Sequence, residues 1–302
     1  MSKFLLITSI ISLLLSSFAH GSQQSDVIYT KKSLYGDISV TESNGLRCLI
    51  FALIKGDSIQ SCQPLNPNDP RLVYSYSKMV IGGFLLNPTP QKILILGLGG
   101  ATIPNVLSEL YPDTKIDIVE LDPAVIEIAK DYFQFQETPN MNAVAGDGRV
   151  FVKRSILQKK QYDVIILDAF TGEYIPEHLM TREFLQEVKQ LMSNDGILIA
   201  NTWETSKLYD YESVTYHKEF GKFYNFKIPP EEGGEGNRII IASKNSLPSK
   251  QELEETAKQL MASLTRYDIQ VDNFPKLMST KQDWDTSVRP LTDQYSPANL
   301  LR

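Results

Sequence analysis

KILILGLGGATIPNVLSELYPDTKIDIVELD, residues 92–122, decides the fold. An apolar run at 93–96 meets Gly97, Gly99 and Gly100, and a helical segment follows. A second strand at 116–119 then ends on Glu120 and Asp122. Glycines in such a strand–turn–helix let backbone approach a ligand, and an acid closing the second strand accepts bonds from ribose hydroxyls. The pattern predicts an adenosine-type ligand.

A dinucleotide fingerprint would place a third glycine where Thr102 stands, so NAD is a poor match. Two further strands also end in acids: 142–145 runs into Gly146-Asp147-Gly148, and 162–167 into Asp168. Each acid alone would read as a solvated strand end. Together, Glu120, Asp122, Asp147 and Asp168 ring the crevice where open parallel sheets bind ligands. A pyrophosphate would be repelled there, whereas a sulfonium nucleoside, being positively charged, would be held.

Strand and helix alternate through this region, which implies a parallel sheet with right-handed crossovers. Strands are expected near 93–97, 116–120, 142–145, 163–168 and 197–202, with helices near 103–110, 123–133, 148–157 and 180–192. Pro104 and Pro123 sit in first turns, where a missing N–H costs nothing. Ser193-Asn194-Asp195-Gly196 reads as the turn into the fifth strand. Two later strand-like runs, 222–228 and 238–242, are joined without a crossover helix and so should be antiparallel. The fold class is therefore α/β: a methyltransferase-type, Rossmann-like sheet of five parallel strands with a terminal antiparallel hairpin.

Ahead of it, residues 27–63 alternate apolar and polar, with turn signals at Tyr35-Gly36-Asp37 and Ser43-Asn44-Gly45. They predict a small antiparallel β-element of three or four strands. Residues 74–86 read as a helix stopped by Pro88 and Pro90. A helix at 251–267 and an extended tail packed on the domain complete the chain. The expected division is 1–21, 22–73, 74–246 and 247–302.

Residues 1–21 read as a secretory signal: Lys3, an apolar stretch at 4–15, then Ser16, Ser17, Phe18 and Ala19, with cleavage after Ala19 or Gly21. The alternative is an uncleaved anchor, although the apolar stretch is short of the roughly 20 residues of a membrane span. The mature chain is thus expected to be periplasmic or secreted, with no membrane segment. Cys48 and Cys62 fit export. If a hairpin centres near Lys55 they face each other and can be bridged, while a tight Gly56-Asp57 turn would separate them as free thiols. His20, His178 and His217 give no recognisable metal site. A formal charge of −6, with no cluster of lysine or arginine, argues against nucleic acid and suits a cationic substrate such as a polyamine.

Gln60, Tyr76, Gly97-Leu98-Gly99-Gly100, Val119-Glu120-Leu121-Asp122-Pro123, Gly146-Asp147-Gly148-Arg149 and 162–168 together resemble spermidine synthases, the polyamine aminopropyltransferases. Residues 168–176 and 291–297 are similar to a spermidine-synthase-like branch. The resemblance implies that Gln60 and Tyr76 line the pocket for decarboxylated S-adenosylmethionine and the amine. It also implies that Gly97, Gly99 and Gly148 approach the nucleoside, with Glu120 and Asp122 at its ribose and Asp147 at the adenine amino group. Asp168 would face the reacting end, with Tyr76 and Glu173 beside it. N-terminal strands could pair across a homodimer.

Three departures stand out: Gly100 and Thr171 replace acids of the family, and Ser77-Lys78 replace a histidine and a glutamate after Tyr76. Aminopropyl transfer needs a neutral amine, so a carboxylate or tyrosine must take its proton; Asp168 is the first candidate. Without an acid at Gly100, intact S-adenosylmethionine would be repelled less, and methyl transfer becomes the enzyme alternative. A noncatalytic nucleoside- or polyamine-binding protein is the alternative from another class. His178 reads as a packing or capping residue, Trp203 and Glu204 as pocket edge or wall, and Tyr209, Tyr211 and Tyr216 as half-buried aromatics.

Overall fold

The computed structural model describes residues 26–53, 56–170 and 175–297. The expected export signal and Glu173 lie outside the described residues. The first sheet comprises β1 (Asp26–Lys32), β2 (Asp37–Ser43), β3 (Leu46–Leu53) and β4 (Gly56–Pro64), antiparallel in chain order. Asn44 and Gly45, at φ 51° and 75°, form the two-residue turn between β2 and β3 that an Asn-Gly pair favours.

α1 (Ser75–Gly82) and a 3₁₀ turn (Gly83–Leu85) lead into the main sheet. There follow β5 (Lys92–Leu96), α2 (Thr102–Leu110), β6 (Lys115–Glu120), α3 (Pro123–Tyr132), β7 (Met141–Ala145), α4 (Gly148–Leu157) and β8 (Tyr162–Leu167). Then come α5 (Arg182–Leu191), β9 (Met192–Trp203), α6 (Tyr209–Phe220), β10 (Tyr224–Lys227), β11 (Asn237–Ser243), α7 (Lys250–Leu264), α8 (Phe274–Leu277) and β12 (Met278–Ser279). The spatial order is β12-β10-β11-β9-β8-β5-β6-β7. β5 to β9 run parallel, and β11 is antiparallel to both β9 and β10.

The central strands are apolar along their length because both faces are covered. Ile93, Ile95, Ile118, Ile166, Ile199 and Ile241 pack into one layer, with buried residues of α1, α2, α3 and α7. Leu94, Leu96, Ile165, Leu167, Leu198 and Ile240 pack into the other, with α4, α5 and α6. Ile38, Val40 and Leu49 of the first sheet join the former layer. Ser61 of β4 bonds Thr102 at the start of α2 (2.6 Å), so the small sheet is docked over the carboxyl end of β5, and Arg47 also donates to the carbonyl of Tyr132 at the end of α3 (2.8 Å). Among the described residues, no helix is long and apolar enough to cross a membrane.

The cysteine hairpin resolves in favour of the bridge. Leu53 opposes Gly56, which places Gly56 in β4 and centres the hairpin near Lys55. The register then slips by one, because Leu49 opposes Ser61 while Ile50 opposes Ile59, leaving Gln60 as the extra residue of a β-bulge. Cys48 faces Cys62 beyond the slip and the two form a disulfide.

A helix, α6, fills the stretch after β9, for which no element was expected, and two expectations need correction. The tail, expected to be extended, makes α8 and adds β12 beside β10. Residues 193–196 lie inside β9, where the register with β8 jumps from Met192 to Ile197, so the expected turn is a kink within a strand.

Candidate functional site

A cavity of about 840 Å³ opens at the carboxyl ends of β5, β6 and β8, roofed by the first sheet. β5 pairs with β6 on one side and β8 on the other, so this is the switch point of the sheet, where such folds bind ligands. Gln60, Tyr76, Gly97, Gly99, Glu120, Asp122, Asp147, Gly148 and Asp168 all line it.

The glycine turn is dictated by contact. Gly97 sits at φ +105°, and a Cβ there would lie 2.2 Å from the carbonyl oxygen of Asp168. Only glycine lets β5 and β8 end side by side with Asp168 N–H bonded to Leu96 O (2.9 Å). Gly99 at φ +52° continues the left-handed turn. Leu98 N–H then donates to Glu120 Oε2 (2.9 Å), and Asp122 N–H donates to Glu120 Oε1 (3.0 Å). Burial raises the Glu120 carboxyl above its ordinary range, opposed by those amide bonds. The Gly99 amide also bonds this carboxylate, and of its four acceptor positions one remains for a ribose hydroxyl.

Asp122 and Asp147 have local duties as well. Asp122 is buried and caps α3 by accepting from Ala124 N–H (2.9 Å). Asp147 caps α4 through Val150 N–H (2.8 Å), while its Oδ2 pairs with His178 Nε2 (2.8 Å). Burial would raise the Asp147 carboxyl, but the bonds from Val150 and His178 prevail and hold it below its usual value. His178 is therefore no packing residue: it is exposed and lines the cavity.

At the opposite end, Asp168 follows β8 directly. Its Oδ1 accepts from Asn201 Nδ2 (2.8 Å), and Asn201 Oδ1 accepts from Asn237 Nδ2 (3.0 Å). Burial lifts the carboxyl from 3.8 to about 7; the Asn201 bond opposes this and the charge of Glu120 adds to it. Tyr76 donates to the carbonyl of Gln60, the bulged residue (3.3 Å). Its hydroxyl is raised well above its usual value, first by burial and then by the charge of Asp168.

Two of the sequence departures have structural answers. A Cβ on Gly100 would lie 2.8 Å from Ser61 Oγ and 2.9 Å from Ser61 Cβ. The space beside Gly100 is filled by Ser61, whose hydroxyl bonds Thr102 Oγ1 (2.6 Å). Ser77 and Lys78 turn elsewhere: Ser77 Oγ donates to Tyr74 O (2.7 Å), and Lys78 pairs with Asp268 (2.5 Å). Asn201, Asn237, Tyr74, Trp203 and Glu235 complete this end of the wall. Of these the sequence marked only Trp203; Asn201 comes in from β9, Asn237 and Glu235 from β11 and the loop before it, and Tyr74 from the residue ahead of α1.

The profile of the spermine/spermidine synthase domain matches residues 74–232. A polyamine aminopropyltransferase of Vibrio vulnificus is 50% identical over 301 residues, covering 100% of this chain and 99% of its own. By shape, a spermidine synthase solved with the transition-state analogue AdoDATO aligns at a TM-score of 0.57 and 25% identity, covering 77% of each chain. A probable spermidine synthase from Corynebacterium glutamicum aligns at 0.65 over 87% of this chain and 99% of its own; at 18% identity this is likeness of fold. From the domain match and the full-length relative, the chain belongs to the spermine/spermidine synthase family, the polyamine aminopropyltransferases.

Proposed function

We propose that this chain transfers the aminopropyl group of decarboxylated S-adenosylmethionine to an amine, with Asp168 taking the proton of the attacking nitrogen. The observation that carries the reading is a carboxyl held near 7 at the end of β8, in one cavity with the ribose-facing Glu120 and with Tyr76. The acceptor arrives as an ammonium. It loses a proton to Asp168, the free lone pair attacks the carbon beside the sulfonium, a C–N bond forms, and the C–S bond breaks. Neutral methylthioadenosine leaves with the electron pair of that bond. A base that titrates near neutrality suits this transfer. Glu120 would hold the ribose, the turn at Gly97 and Gly99 the nucleoside, and Asp147 or His178 the adenine edge.

One observation supports a second ligand. Where the family carries an acid, this chain presents the hydroxyls of Ser61 and Thr102, which are neutral and can donate. Intact S-adenosylmethionine would meet no repulsion there, and methyl transfer is the corresponding reading. Purified protein incubated with each nucleoside and a panel of amines separates the possibilities by mass spectrometry of products. Aminopropylated amine with methylthioadenosine is expected, abolished in Asp168→Asn. Methylated amine would replace the first reading with the second, and nucleoside binding without either product would make the chain a binding protein.

The reading extends to location. The signal-like residues 3–19 and the Cys48–Cys62 disulfide support export of the mature chain. Expressed with its own amino terminus, the protein should begin at residue 20 or 22; intact Met1 in the recovered chain would refute this.

A further inference from the structure

We propose that a lysine-lined depression at the amino ends of β8 and β9 is a second binding site, which takes a free oligophosphate. This site is separate from the main cavity and does not depend on aminopropyl transfer.

The depression, of about 760 Å³, is walled by the end of α4 and the loop after it, by the last turns of α5, and by Lys244 just beyond β11. Lys159, Lys160, Lys189 and Lys244 line it together with the amides of Gln161 and Gln190, and no carboxylate does. Three separate stretches supply the lysines, so a chain of formal charge −6 gathers four cations on one small surface that its sequence keeps apart. Asp168 follows the other end of β8, which puts the depression and the nucleoside cavity at opposite ends of the sheet.

Two of the ammonium groups are held in place. Lys189 Nζ donates to Glu219 O (2.6 Å) beside the ring of Phe220, and Lys244 Nζ donates to Met192 O (2.6 Å). Both lysines are half-buried, and each keeps N–H donors beyond its carbonyl bond. Among the described residues, Lys159, Lys189 and Lys244 pair with no carboxylate, and Lys160 meets only Asp117, at 3.6 Å. Glu219, whose carbonyl holds Lys189, commits its carboxylate to Arg182 and Gln186. Lys159 adds an independent sign. It stands at φ +56°, the left-handed position just past α4 where a helix ordinarily ends in glycine, so its charge sits there against the backbone preference. Lysines also suit the carboxyl ends of helices, but that role covers neither Lys244, which follows a strand, nor a lysine in the left-handed region. Several cations without counter-ions in one concave surface call for a compact anion of several charges, and ammonium groups pair with phosphate as point charges. The acidic remainder of the surface would repel a long polyanion or an anionic bilayer, whereas a free oligophosphate fits within the depression.

Calorimetry with inorganic tripolyphosphate at low ionic strength tests the site. Wild type should bind the anion, with affinity falling as salt is raised. Lys159→Gly and Lys244→Gln should each weaken binding about fivefold or more, the scale of one charge pair at about 4 Å in water. Lys258→Gln, which removes the same charge from the exposed face of α7, should leave it unchanged. Glycine suits the backbone at 159, so Lys159→Gly should melt no lower than wild type, which separates lost binding from lost folding. Protein loaded with methylthioadenosine should bind the anion equally well. No binding by wild type, binding untouched by Lys159→Gly and Lys244→Gln, an equal loss in Lys258→Gln, or competition by methylthioadenosine would overturn the assignment. So would attachment to phosphatidylglycerol vesicles without affinity for tripolyphosphate, which would make the patch a membrane contact.

Discussion

Asp168 is the residue on which the chemistry turns, and its environment sets two opposite expectations. Burial raises its carboxyl to about 7, so the base form, and with it kcat/KM plotted against free-amine concentration, should climb with pH through that value in the uncomplexed enzyme. Bound sulfonium charge should lower the midpoint in the kcat profile. Asp168→Asn should cost about 10²–10⁴-fold in turnover. The same substitution should stabilise the fold. A carboxyl that binds its proton more tightly when folded favours the native state most below its ordinary value of 3.8, and that advantage is lost as pH rises through about 7. The neutral amide introduced by Asp168→Asn carries no such penalty, so the variant should melt above wild type at pH 8, with the gap narrowing toward pH 5. Equal melting temperatures at pH 8 would mean that the carboxylate is solvated. This residue was legible because it ends an apolar run in register with Glu120 and Asp147. Its partner Asn201 was not: a neutral residue inside β9 carries no local sign, and only the β8–β9 pairing makes it a hydrogen-bond donor to Asp168.

The β3–β4 hairpin shows how one inserted residue serves two ends. Without its bulge, Gln60 would stand in the ladder opposite a β3 residue; with it, Gln60 is released to the cavity and its carbonyl meets Tyr76. Deleting Gln60 should leave a regular ladder in which Leu49 still opposes Ser61 and Cys48 still faces Cys62. The disulfide should therefore persist in peptide mass maps while nucleoside affinity falls; loss of the disulfide would show that the bulge sets the cysteine register. Reduction, or Cys48→Ser with Cys62→Ser, should lower stability by about 2–3 kcal/mol in urea titrations, the scale expected for closing a loop of this size. The hairpin was readable from alternation and cysteine spacing. α6 was hidden for a definite reason: Glu212, Ser213 and Thr215 are buried beside Val214 and Tyr216, so no apolar stripe marks a face. Those polar groups are satisfied from elsewhere, Glu212 and Ser213 by the fully buried Arg238 and Thr215 by the amide of Leu291.

Across the whole molecule, one guanidinium joins the nucleoside end to the carboxy-terminal segment. Arg149, next to Gly148 in the first turn of α4, binds Glu187 of α5 through Nε and Nη2 (2.8 and 2.9 Å). It binds Asp293 through Nη1 and Nη2 (2.7 and 2.8 Å), and Nη1 also reaches the carbonyl of His178 (3.2 Å). Thr181, the cap of α5, donates to Asp293 as well (2.7 Å). The likeness of residues 291–297 to a branch of the family thus has a physical content that the sequence could not disclose: the aspartate within it reaches back 144 positions. Arg149 bonds hold the Asp293 carboxyl below its ordinary value, against some burial, so the clamp persists above that value and is lost only as pH falls through the lowered one. Asp293→Ala should cost about 1–3 kcal/mol in urea denaturation at pH 7, since charge-assisted bonds to a buried guanidinium are removed while Glu187 remains. His178 is held through its carbonyl by the same guanidinium and through its ring by Asp147. Loosening the clamp should therefore also weaken nucleoside binding severalfold by calorimetry, with KM for the amine unchanged. An unchanged unfolding midpoint, or weakened amine binding with intact nucleoside affinity, would show that the tail lies on the domain without bracing this end of the cavity.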